Sequence, residues 1–243
     1  MTTNLQWVGH ACFRLWQDGG PATVMDPYDP SEIARACGTD RSVFELEKLH
    51  AETVVVSSLT DKAHAHYQAV EGSPEVINAL DVAQGKIQPK INGKSIVAVQ
   101  AAEAPHHPDG PDDNALYAFK SGTLWFLHMG DLGYGIYEDE LKPFAHRCDV
   151  LLALVGEGLT VSLDELDKMI NILKPTWIVP MHYECPPLAA NMTGLEVFLK
   201  RRSRDPIIHV RHHTVKFPLS IEGLLSPTLV VLEPSGFEAE ELF

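Results

Sequence analysis

The run Val150-Leu151-Leu152-Ala153-Leu154-Val155 contains no polar side chain. A strand of that kind has no face to give to water, so it must be covered on both sides. Thr53-Val54-Val55-Val56 makes the same demand earlier in the chain. After the first run, Ser162 stands three residues before Glu165, as a capping box requires. Leu163, Leu166, Met169, Ile170 and Leu173 then recur at helical spacing, Pro175 closes the helix, and Trp177-Ile178-Val179 opens the next strand. Strand, helix, strand in that order predicts an α/β unit with a right-handed crossover.

The remaining strands are shorter, and several stop at a residue with chemistry. Leu5 to Val8 and Cys12 to Trp16 flank Gly9-His10-Ala11, and Thr23-Val24-Met25 runs into Asp26-Pro27, where the proline ends the ladder. His10 and Asp26 are expected to serve as structural hydrogen-bonding groups. The valine run at 53–56 opens onto Asp61, His64 and His66. In a helix, positions two apart diverge by about 200°, so His64 and His66 are not expected to share a site. Ile96 to Val99 is a further strand, 104–114 reads as a polar loop carrying His106 and His107, and Tyr117 to Phe126 reads as a hairpin turning at Ser121-Gly122. That hairpin delivers the chain to His128-Met129-Gly130-Asp131-Leu132-Gly133, where glycines give the backbone freedom to approach closely. Pro30 to His50 reads as a loop with one helical turn around Phe44 to Leu49, and Leu229 to Leu232 as a last strand. His209, His212 and His213 are expected at the surface or in packing.

In open α/β architectures the carboxyl ends of strands meet at an edge where ligands bind. Asp61 to His66, His106-His107, Asp131 and His182 would converge there, and imidazoles with carboxylates suit zinc or another first-row divalent ion. Competing chemistries lack their signatures. There is no Gly-x-Ser-x-Gly elbow and no P-loop, and Gly156-Glu157-Gly158 has Val161 where a dinucleotide fingerprint needs its third glycine.

The formal charge of -14 opposes nucleic acid and anionic membranes as partners. A small-molecule substrate is expected, and a homo-oligomer is left open. Cys12, Cys37, Cys148 and Cys185 have no CxxC spacing, so they read as reduced core thiols. With no basic-then-apolar leader and no run long enough for a bilayer, a cytoplasmic protein is expected. The absence of a repeat or a Gly/Ser linker favours one domain over residues 1–243.

Trp7-Val8-Gly9-His10-Ala11, Asp26-Pro27, Glu71-Gly72-Ser73-Pro74-Glu75-Val76-Ile77, His128 to Gly133, and Lys174-Pro175 through Pro180-Met181-His182-Tyr183 together resemble the metallo-β-lactamase superfamily. Within it they look most like the branch related to ascorbate-6-phosphate lactonase. The resemblance implies an α/β fold, an αββα four-layer sandwich, with metal held at one edge. It implies Asp131 as the aspartate bridging two metals, His182 as the last histidine ligand, and His106 or His107 as a ligand of the first metal.

The family's His-x-His-x-Asp-His motif is altered here. Aligned backward from Glu71-Gly72, His64 takes its final histidine and Asp61 its second, while Leu59 and Ala63 stand in place of two ligands; aligned forward from Ser57, all four are lost. The metal set implied is Asp61, His64, His106 or His107, Asp131 and His182, holding one Zn2+ or Mn2+ rather than two. Asp131 and Asp61 are the catalytic candidates, and His66, His128 and Cys185 are the candidates to replace the missing metal ligands, His128 more readily as support for the loop carrying Asp131. The expected activity is metal-dependent hydrolysis of a small ester or lactone. The alternative is a non-catalytic or repurposed relative that has lost part of its metal site.

Overall fold

The computed structural model describes residues 2–36, 46, 48–104, 112–185, 192–219 and 227–233. In chain order the strands are β1 (Thr3–Gly9), β2 (Cys12–Gln17), β3 (Ala22–Met25), β4 (Leu49–His50), β5 (Thr53–Val56), β6 (Val70–Glu71), β7 (Glu75–Asn78), β8 (Lys90–Ile91) and β9 (Lys94–Ser95). They continue as β10 (Val97–Ala104), β11 (Asp112–Ser121), β12 (Leu124–His128), β13 (Val150–Leu154), β14 (Trp177–Met181), β15 (Ile207–Val210), β16 (Thr214–Phe217) and β17 (Thr228–Leu232). The helices are α1 (Pro30–Ala36), α2 (Ala79–Ala83), α3 (Glu138–Leu141), α4 (Leu163–Leu173) and α5 (Leu195–Arg201).

Two mixed sheets carry the molecule. The six-stranded one runs β16-β1-β2-β3-β5-β7 and the seven-stranded one β10-β11-β12-β13-β14-β17-β15. Each changes from antiparallel to parallel part-way, at β3/β5 in the first and β12/β13 in the second. Their inner faces meet through aromatic side chains. Phe13 of β2 stands edge-on to His128 of β12, and Phe217 of β16 lies between Phe126 of β12 and Trp177 of β14. Val54, Val55 and Val56 and all of β13 are buried, as strands without a polar face require. Fully burying each such side chain contributes about 1.5–3 kcal/mol.

α4 links β13 to β14, which pair in parallel. The Ser162 hydroxyl accepts from the Glu165 N–H at 3.3 Å, and the Glu165 carboxylate accepts from the Ser162 hydroxyl at 2.7 Å. Such caps stabilise a helix by about 1 kcal/mol. α2 packs on β10 and β11. No described helix is long and apolar enough to cross a membrane.

Two sequence readings need correction. The segment from Pro30 is not all loop: α1 starts there, its first turn held by the Asp29 carboxylate, which accepts from the Ser31 N–H at 2.8 Å. Asp112 to Asn114 are not loop either, since β11 begins at Asp112 and pairs along β10. Of the helical turn expected around Phe44 to Leu49, residues 44, 45 and 47 lie outside the described residues, while Leu49 is in β4. Cys12, Cys148 and Cys185 are buried and form no disulfide among the described residues, and Cys37 lies outside the described residues. His209, His212 and His213 are exposed.

Candidate metal centre

The chain leaves β5 at Val56, β12 at His128 and β14 at Met181, and the segments beyond those ends meet. His64, Asp131 and His182 are all buried there, each with a ligand atom within 4.8 Å of the others. His64 Nε2 and His182 Nε2 are 3.2 Å apart. Asp131 places Oδ1 at 3.8 Å from His182 Nε2 and Oδ2 at 3.5 Å from His64 Nδ1. Asp61 grips the same imidazole, with Oδ2 at 2.9 Å from His64 Nδ1. Its other oxygen accepts from the backbone N–H groups of Ala63 and His64 at 2.9 and 3.1 Å, so the turn and the ring are fixed by one carboxylate.

The arm carrying Asp131 is set from below. His128 Nε2 lies 2.7 Å from the Ala11 carbonyl, which can only accept, so the ring proton sits on Nε2. Nδ1 then accepts the Gly130 N–H at 2.9 Å, and Tyr117 stacks on the ring at 5.0 Å with 7° between planes. Gly130 has φ +61, and a Cβ there would come within 2.4 Å of Asn114 Oδ1, so no side chain fits. Asp26 sits between the two arms: its Oδ1 accepts from the Ser57 N–H at 2.6 Å, and its Oδ2, without a hydrogen-bond partner, lies 3.3 Å from His128 Nδ1.

His182 sits at φ 52, a left-handed backbone that costs a non-glycine residue on the order of 1–3 kcal/mol. Its N–H donates to the His10 carbonyl at 3.2 Å, and its own carbonyl lies where a Cβ on Gly156 would stand, 2.0 Å away. His10 and Asp26, at φ 47 and 42, share this conformation.

Burial and neighbouring charges pull the titrating groups apart. For His64 burial works against the charged ring, but the carboxylates of Asp61 and Asp131 outweigh it and raise the pKa to about 10. Burial lowers His182, and the His64 charge lowers it further against the pull of Asp131. Partial burial of Asp61 raises its carboxyl, yet His64 holds it below the ordinary range. Burial lowers His128 to about 3 and raises Asp26 to about 8, while His10, also buried, is held well below its ordinary value.

Two buried atoms of the centre have no hydrogen-bond partner, Asp131 Oδ1 and His182 Nδ1. An unsatisfied buried carboxylate oxygen costs several kcal/mol in isolation, so such an atom points to something that binds it. The spacing suits a cation. A tetrahedral sphere with Zn–N near 2.0–2.1 Å puts neighbouring donors about 3.3 Å apart, close to the His64 to His182 separation. Two imidazole nitrogens and a carboxylate are also the donor types that first-row divalent ions prefer, once His64 has given up its proton.

A beta-lactamase superfamily domain model matches residues 4–182. The chain belongs to the metallo-β-lactamase superfamily. Among its relatives, a UPF0173 protein of Pyrococcus furiosus is 25% identical over 182 residues, covering 73% of this chain and 81% of its own. A UPF0173 metal-dependent hydrolase of Pyrobaculum arsenaticum is 28% identical over 204 residues, covering 76% and 85%. A solved metallo-β-lactamase superfamily structure from Thermotoga maritima superposes with a TM-score of 0.65 at 24% identity, over 95% of this chain and 98% of that one. The fold is therefore the metallo-β-lactamase fold, as the motifs implied.

Of the residues singled out from the sequence, the fold brings together Asp61, His64, Asp131 and His182. His106 and His107 lie outside the described residues. His66 turns away, its Nδ1 at 3.3 Å from Asp29 Oδ2 and its side chain 36% exposed. Cys185 is buried but joins no donor cluster among the described residues. In the places where the superfamily motif has two further ligands, Leu59 is 46% exposed and Ala63 is half-buried. One residue was missed: Glu103, whose carboxylate gathers with Asp61 and Asp131 within 4.8 Å. Its signal was slight, a single acid in the otherwise uncharged Val97–Ala104 stretch.

Proposed function

We propose that this superfamily member is a metal-dependent hydrolase of a small ester or lactone, with one Zn2+ or Mn2+ held by His64, Asp131 and His182. The observation that carries the reading is the meeting of two imidazole nitrogens 3.2 Å apart with a buried carboxylate whose Oδ1 has no partner. Several relatives bear the name metal-dependent hydrolase, those of Thermoplasma volcanium and Pyrobaculum arsenaticum among them. The motif likeness to the ascorbate-6-phosphate lactonase branch favours a lactone within that class.

When bound, a divalent ion polarises an acyl oxygen and lowers the pKa of its water to about 7. The chain's own residues do the rest. Asp61 fixes the His64 ring through Nδ1, which turns Nε2 toward His182. Free of metal, His64 is protonated at neutral pH, so loading the site requires that proton to leave Nε2. His128 holds the Gly130 N–H and through it the turn that presents Asp131. Asp131, whose Oδ1 has no hydrogen-bond partner, would take the proton from attacking water, with Asp61 acting through the His64 ring that it holds, since His182 is kept neutral by burial and His128 is spent on Ala11 and Gly130. A cleft of about 420 Å³ lies beside the Asp61–His64 turn, lined by Leu59, Lys62, His66 and Tyr67 among others and by none of the metal-centre residues.

The test is metal content of protein purified without chelator, followed by an ester and lactone panel. Stoichiometric zinc or manganese, with turnover lost in chelator and restored by either ion, is the expected result. A protein with no bound metal that hydrolyses nothing on the panel overturns the reading in favour of a repurposed fold.

A further inference from the structure

Glu103 stands where the ladder between β10 and β11 breaks register. Ala102 pairs with Asp113 and Ala104 with Asp112, leaving Glu103 as the extra residue of a bulge. Bulges beside active sites re-aim side chains, and this one sends the Glu103 carboxylate to within 4.8 Å of those of Asp61 and Asp131. The position is braced from the other side. Gly133 donates its N–H to the Ala102 carbonyl at 3.2 Å, and a Cβ on Gly133 would fall 1.5 Å from the Glu103 carbonyl. The backbone of the Asp131 arm is thus pressed onto the bulge, which fixes one carboxylate relative to the other.

Two donor sets therefore overlap at Asp131. His64 and His182 with Asp131 offer two nitrogens and an oxygen, while Asp61 and Glu103 with Asp131 offer oxygens alone. Asp131 is 5% exposed, and its Oδ1 has no hydrogen-bond partner, so the residue common to both sets carries unused binding capacity. Three carboxylates within 4.8 Å of one another repel, and that repulsion has to be offset by positive charge lying between them. A cation supplies it.

We propose that Glu103 is a metal ligand and that Glu103, Asp61 and Asp131 form an oxygen-only site for a hard divalent cation, Mn2+ or Mg2+, next to the nitrogen-containing site. Oxygen donors select Mn2+ and Mg2+, whereas imidazole favours zinc, so the two sets differ in the ion each prefers. Leu59 and Ala63 removed ligands from the superfamily motif, and Glu103, from another strand, supplies a carboxylate in their stead. This site shares Asp131 with the proposed hydrolytic centre and rests on that reading.

The experiment measures Zn2+ and Mn2+ binding to chelator-stripped full-length protein by calorimetry, with Mn2+ also followed by electron paramagnetic resonance. Parent, Glu103→Gln, Glu103→Asp and His182→Ala are compared. Expected are Mn2+ affinity reduced at least tenfold in Glu103→Gln with Zn2+ affinity changed less than threefold, partial recovery of Mn2+ binding in Glu103→Asp, and the reverse selectivity in His182→Ala. Should Glu103→Gln fail to fold, Glu103→Asp, which keeps the charge and withdraws it by one methylene, carries the comparison: a Mn2+-selective loss supports the site. Unchanged Mn2+ affinity, or equal loss of both ions, overturns the oxygen site while leaving the zinc-binding centre standing. A parent protein that binds neither ion sinks both proposals.

Discussion

The two halves of the centre are built by opposite means. In the arm from the first sheet, Ser57 to His66, the turn that carries the ligand is stiffened locally, Asp61 capping it and holding a ring three residues on, while Ser57, Ala63 and His66 also bond to residues 26–29. The arms from the second sheet are stiffened at a distance. His128 reaches the Ala11 carbonyl, Gly130 is pressed on Asn114, and Gly156 leaves room for the His182 carbonyl. Exposure follows the same division, since Leu59 is 46% exposed while residues 128–132 are all buried. A locally tied arm tolerates exchange of its outer residues, and this is the arm in which the superfamily motif has changed. A globally tied arm does not, and there the aspartate and histidine remain.

The comparison breaks most directly at Asp131. Asp131→Ala should lower metal affinity by more than about a hundredfold, beyond the 10–100-fold typical of a supporting residue, and abolish turnover with the fold retained. Equal metal uptake with a lowered melting temperature would mark Asp131 as structural. On the other arm, Asp61→Asn keeps an oxygen for the turn but loses the charge beside His64. A fall in zinc affinity of about 10–100-fold is expected by calorimetry, and no change would show that the local tie is idle.

Gly156→Ala asks whether the distant ties matter, since its Cβ must displace the His182 main chain. A cost of about 1–3 kcal/mol in urea unfolding, with weakened zinc binding, is expected. The smallest effect is in pH. Asp26 has its pKa raised from 3.8 to about 8, so its contribution to stability is full below 3.8 and is lost as pH rises through about 8. In chelated protein, Asp26→Asn should therefore gain on the parent between pH 5 and 9 in urea melts, and parallel curves would remove Asp26 as the titrating group between the arms.

The strands were legible because their residues are extreme. Val54 to Val56 and β13 have no polar face, and the Ser162/Glu165 box marks the helix start without ambiguity. His64 and His182 were legible from the motif remnant and from their places beyond strand ends. α1 was not, because seven residues are too few for helical periodicity, although Asp29 as cap with Pro30 behind it is a recognisable start. Glu103 was hidden because a bulge breaks the alternation that tells which way a strand residue points. The left-handed backbones of His10, Asp26 and His182 were hidden too, since none is a glycine and tertiary contacts impose them.

The carbonyl of His10 receives two donors, Trp7 Nε1 at 3.0 Å and the His182 N–H at 3.2 Å, one from each sheet. Trp7 also rests against Tyr183, ring centroids 5.2 Å apart. That one oxygen thus acts as a gauge block between the layers. The position of His182 and the mutual alignment of the two sheets are therefore coupled through a single atom.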